Sequence, residues 1–109
     1  MKDMEKHSKH QREQELHFKI VNRRNKLLGL WVAERLGLSG KDAQDYALTV
    51  VAADFDEPGD ADVRRKVLGD LKAKGVDLPE TELSSVMERL MHTAHDQVMA
   101  EAEAAAQGD

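Results

Sequence analysis

The residues best placed to do chemistry are an acidic loop, five histidines, a Gly-Lys pair, two serines and a basic cluster. Spacing decides most of these. Asp54, Asp56, Gly59 and Asp62 occupy the first, third, sixth and ninth positions of a calcium-binding EF-hand loop. Pro58 in the fifth position offers no side-chain ligand, however, and Arg65 stands in the twelfth, where a bidentate glutamate is needed. The loop is therefore expected to end one helix and cap the next. His7 with His10, and His92 with His95, are i,i+3 pairs able to share a metal, while His17 stands alone. No third ligand converges on them in the sequence, so exposed helix positions are expected, with His92 and His95 at the rim of an apolar stripe. Gly40-Lys41 lacks the first glycine of a phosphate loop, which Arg35 replaces, and Asp42 stands where Ser or Thr would hold magnesium. Ser84 and Ser85 have no elbow motif and no base. No catalytic residue, metal site or resident cofactor is predicted, and the chain is not expected to be an enzyme.

The basic cluster Arg23, Arg24, Asn25 and Lys26 supports two readings. It could be a solvated waist paired with Asp54, Asp56 or Asp60, each exposed pair worth about 0–1 kcal/mol. Alternatively it could form an anion or protein-docking patch with Trp31 as anchor, including weak binding of ATP or ADP. The sole tryptophan also fits a core position.

The elements that must position these residues are helical. A chain of 109 residues with 34% charged and 4% aromatic residues and two prolines suits one domain of helices packed on Leu, Val, Met and Ala. It has no cysteine, so disulfides and thiolate chemistry are excluded. The N-terminal residues lack the apolar core of a signal peptide, and Leu27–Ala33 is too short to span a bilayer, so a cytoplasmic protein is expected. Net charge is −5, but residues 1–40 carry nine Lys/Arg against five Asp/Glu, and the remainder seven against sixteen. A basic end on an acidic body fits an acidic protein surface better than nucleic acid.

Residues 1–10 show no apolar periodicity and are expected to form a flexible arm. A helix is predicted over 11–36, with Leu16, Ile20, Leu27, Leu30 and Trp31 on one face and Glu15 and Lys19 paired at i,i+4. Gly37 stops it, and Ser39 with Asp42 reads as the cap of a second helix over 40–55. Asp60 caps a third over 60–74, which ends at Gly75. Asp77-Leu78-Pro79 opens a fourth over 79–99, where Leu83, Val86, Met87, Leu90, Ala94 and Val98 repeat at three and four. The four-helix domain is drawn at 11–104, and a tail of little packing value at 105–109. Short connections predict an all-α, small antiparallel four-helix bundle. The first helix outruns its partners, so its N-terminal part projects or frays.

Glu15-Leu16-His17-Phe18-Lys19, the string from Arg23 to Leu38 and Val51-Ala52-Ala53-Asp54-Phe55-Asp56-Glu57-Pro58-Gly59-Asp60 resemble the zeta subunit of alphaproteobacterial F-type ATP synthases. The resemblance covers about residues 13–77. It implies a small four-helix regulator that binds the catalytic subunits and central stalk and inhibits ATP hydrolysis by inserting an N-terminal helix. On that reading Lys9, Arg12, Glu13, Glu15, Leu16, Phe18, Lys19 and Ile20 contact the target. The protein would be peripheral to the inner membrane through the synthase, without membrane insertion, and a monomer when free. The segment Met4 to Arg12 keeps Lys9 of the family pattern DDRExAFExKFA but neither phenylalanine, which predicts weaker inhibition. Two other functions remain open on the residues: an adaptor or scaffold that docks without inhibiting, and a weak adenine-nucleotide sensor.

Overall fold

The computed structural model describes the backbone of residues 2–55 and 59–107 and the side chains of 11–54 and 59–107. Four α-helices are present among them: α1 Lys2–Arg35, α2 Gly40–Ala52, α3 Ala61–Ala73 and α4 Glu80–Gln107. A 3-10 turn, Ala53–Phe55, follows α2. α1 is the central element, packed mainly against α2 and α4. Both run antiparallel to it: Asn25 meets Asp54 and Gly29 meets Ala47, while Arg23 meets Glu101. The structure is the expected small bundle with a long first helix.

The core is assembled from one face of every helix. Leu28 and Val32 of α1 meet Val50 of α2, Val63, Val67 and Leu71 of α3, and Leu83, Val86, Met87 and Leu90 of α4. Each fully buried Leu or Val contributes about 1.5–3 kcal/mol relative to exposure. The α4 stripe is buried as its spacing predicts. The stripe on α1 is not: Leu16, Ile20, Leu27, Leu30 and Trp31 are only half-buried. Full burial falls instead on Asn25, Leu28, Val32 and Ala33, with Arg24 almost covered. That face is centred about 150° round the helix from the expected one at 100° per residue. A helix flanked on both sides has two packed faces, and the more polar one lies deeper.

Gly29 explains how closely α1 and α2 approach. A Cβ placed on it would stand 2.5 Å from the Ala47 Cα, so only glycine permits this crossing.

The helix ends divide into those made as expected and those made otherwise. At Gly37, φ is 80°, Leu38 N–H donates to Ala33 O at 2.9 Å and Gly37 N–H to Glu34 O at 3.2 Å. The same pair of bonds recurs at Gly75, closing α3 in a Schellman motif. Ser39 and Asp60 hold the N-cap positions, but neither side chain makes the capping bond. Asp60 Oδ1 accepts from Arg64 Nε at 3.0 Å instead, so an ion pair replaces the predicted cap.

Two boundaries also differ from the periodicity. α1 begins at Lys2, well before Gln11. Once the packed half is nucleated, each further residue adds a hydrogen bond at little cost, and Lys, Glu and Gln are good helix formers. The side chains of residues 1–10 lie outside those described, and with them Lys9 and the expectation of a flexible arm. α4 continues to Gln107, carried by its Ala/Glu composition and by a contact to α1 described below. Residues 108–109 of the expected tail lie outside the described residues, as do Asp56, Glu57 and Pro58 of the acidic loop.

Candidate functional site

The basic cluster is dispersed by the helix that carries it. Arg23 points to the end of α4, where Nη1 donates to Glu101 Oε2 at 2.7 Å and to Gln97 Oε1 at 2.9 Å, and Nη2 donates to Glu101 Oε1 at 2.8 Å. This two-pronged pairing gives geometric specificity that a lysine would not. The hydrogen bonds from Arg23 hold the Glu101 carboxyl below its usual range, Coulombic attraction to Arg23 and Lys19 assisting.

Arg24 and Asn25 turn inward. Arg24 Nε donates to Asn25 Oδ1 at 2.8 Å, and Asn25 Nδ2 donates to Asp54 Oδ2 at 3.0 Å. Burial lowers the pKa of the Arg24 guanidinium, the charges of Asp60 and Asp54 oppose that, and Arg64 adds to the lowering. It remains a cation at physiological pH. The trio ties α1 to the turn after α2 and to the start of α3, so these two residues act inside the fold. Asp54 and Asp60 are thus neighbours of the cluster, as the ion-pair reading anticipates, although through Arg24 and Asn25. Asp56, the third acid of that reading, lies outside the described residues.

Lys26 is exposed. Trp31 is half-buried against the core, with the Arg35 guanidinium 3.4 Å from its ring centroid and Arg35 Nη1 donating to Trp31 O at 3.1 Å. Arg35 therefore covers part of the ring, a cation–π contact worth about 0.5–1 kcal/mol at such a position.

The proposed arm residues lie on the N-terminal half of α1. Arg12, Glu13, Glu15, Phe18 and Lys19 are exposed, and Leu16 and Ile20 half-buried. Phe18 is 56% exposed, an apolar ring left to solvent on a helix. It lines a groove with Leu16 and Lys19 of α1, Leu48 and Val51 of α2, and Ala102 and Ala105 of α4. Leu48 and the end of α4 were not expected here. A large apolar side chain apart from the buried Ala47 and Val50 of α2 is a signal for the first; for the second, only the acidity of the tail opposite a basic helix would have served.

The remaining candidates lie away from this groove. His17, His92 and His95 are exposed, and His95 Nδ1 lies 3.2 Å from Asp96 Oδ1. Ser84 Oγ accepts from Arg64 Nη1 at 2.8 Å. Among the described residues, no three His, Asp or Glu side chains gather as metal ligands. No described helix is long and apolar enough to cross a membrane.

Comparison with known proteins agrees with this fold. A chain solved by solution NMR is similar in fold, with a TM-score of 0.71 and 55% identity over 79% of this chain and 98% of its own. No curated protein matches. The family model of the ATPase inhibitor subunit zeta matches residues 1–97, stopping short of Glu101. The chain belongs to the ATPase inhibitor subunit zeta family, regulatory proteins associated with the ATP synthase.

Proposed function

We propose that this chain binds the catalytic sector of the F-type ATP synthase and inhibits ATP hydrolysis through the N-terminal half of α1, without catalytic activity of its own. The observation that carries the reading is the mismatch in length. α1 has 34 residues, α4 has 28, and α2 and α3 have 13 each, or about 51 Å against about 42 Å and about 20 Å. The excess of α1 presents Arg12, Glu13, Glu15, Phe18 and Lys19 to solvent. An amphipathic helix of this kind enters a partner with its apolar residues as anchors, here Leu16, Phe18 and Ile20. Arg12, Lys19 and Lys9 supply charge to an acidic wall, and the four-helix body remains outside as a stop. Partners on this reading are the catalytic subunits and the central stalk, and the protein sits on the cytoplasmic side, peripheral to the inner membrane.

Docking without inhibition is the second reading, favoured by the absence of both phenylalanines from the Met4 to Arg12 segment. Steady-state ATP hydrolysis by the cognate catalytic sector separates the two. Dose-dependent inhibition by the full chain, lost on removal of residues 1–19, is the expected result. Binding of the full chain with undiminished hydrolysis would leave docking alone.

A further inference from the structure

The groove on α1 has a second wall that the arm does not require. Phe18 and Leu48, 56% and 59% exposed, are two of the large apolar side chains open to solvent among the described residues, and both line it. Apolar groups gathered in one concavity mark an interaction site. The groove, about 620 Å³, runs between helices and is floored by Leu16 and Val51. Its polar lining is mostly rim charge: Lys19, Arg23 and Lys26 against Glu101. Arg23 and Glu101 neutralise each other, Lys19 adds its charge beside them, and Lys26 has no ion pair among the described residues. The rim is therefore positive on a molecule whose net charge is −5.

We propose that this groove seats an acidic amphipathic helix of a protein partner, its apolar face on Phe18 and Leu48 and its carboxylates at Lys19 and Lys26. A channel between helices with apolar walls and a charged rim matches helix-in-groove recognition. Charge complementarity selects the occupant. An anionic membrane would meet the whole acidic body, whereas a single helix meets only the cationic rim. The inference rests on reading the chain as a protein-binding regulator and adds to the arm a contact made by α2.

The test is an amide-shift titration of the isotope-labelled full chain with a designed helical peptide of leucine and glutamate. A counterpart with lysine for glutamate and vesicles of anionic lipid serve as the other probes. The expected result is saturable shifts at Phe18, Lys19, Lys26, Leu48 and Val51 with the acidic peptide only. Affinity should fall about tenfold in Leu48→Asp, an exposed position that leaves the fold intact, and about threefold in Lys26→Glu. No saturable shift, an equal response to both peptides, preference for vesicles, or shifts that grow with concentration of the chain alone would each overturn it. Hydrolysis is not read, so failure here is distinct from failure of the arm to inhibit.

Discussion

Asn25 is a fully buried amide between a buried cation and a carboxylate, accepting from Arg24 and donating to Asp54. Removing it strands both partners. Asn25→Ala is expected to lower the unfolding free energy by about 1–3 kcal/mol, read from urea denaturation, and an unchanged midpoint would show that the trio contributes nothing. Tyr46 gives a cleaner residue-scale measurement because it is the chain's one tyrosine. Its hydroxyl donates to Asp70 Oδ2 at 2.7 Å, and burial, followed by that bond and the Asp70 charge, raises the phenol's pKa. The folded state thus holds its proton more tightly than the unfolded chain, whose phenol titrates near the usual value of about 10. Stability from this group is complete below that pH and is lost as pH rises towards the raised value. Phenolate absorbance should appear well above pH 10 in the folded protein; a midpoint near 10 would contradict the burial of this bond. Residue-scale burial was the least legible in sequence: nothing in the string Arg23-Arg24-Asn25-Lys26 tells that the middle two turn inward and the outer two do not.

At the scale of elements, Gly29 and the end of α4 carry two of the contacts that hold α1. Gly29→Ala forces a methyl against the Ala47 backbone, and a loss of about 1–3 kcal/mol is expected by thermal or urea unfolding. An unchanged stability would mean that α1 and α2 separate without cost. The α4 end is fastened by Arg23 to Glu101. Glu101 has its carboxyl held below the usual range, so its contribution is present above the unfolded carboxylate pKa and is lost as pH falls through the lowered one. The protection of amides at residues 16–23 and 99–107, taken relative to their intrinsic exchange rate at each pH, should therefore fall at acid pH, and in Glu101→Gln already at neutral pH. Equal exchange in the variant would show that the pairing does not hold the two helices together. The stops at Gly37 and Gly75 were readable because a left-handed residue leaves a chemical signature. The onset of α1 and the extent of α4 were not, since Lys/Glu and Ala/Glu stretches form helix or coil according to what they touch. Glu101 lies 78 residues from Arg23, a distance at which no local pattern connects them.

The whole molecule is elongated, 57 × 29 × 22 Å. The two long helices account for that shape, α1 of 34 residues and α4 of 28 beside the short α2 and α3. Its charge is divided, a basic first helix against an acidic remainder, which was legible from composition, as was the helical class. The family resemblance was legible from long, unusual strings around the α1 core and the α2 end. The excess length of α1 was legible from its predicted span; what neither composition nor strings revealed was which of its faces lies deepest, because both carry apolar residues. At this scale stands the proposal that the exposed half of α1 seats on the catalytic subunits. Its most direct test is photocrosslinking from a photoreactive amino acid at Phe18 of the full chain, mixed with the cognate catalytic sector during ATP hydrolysis. Adducts to the catalytic subunits, rising with the degree of inhibition, are predicted. Absence of such adducts from position 18, with a probe at Met99 on α4 giving them instead, would contradict it.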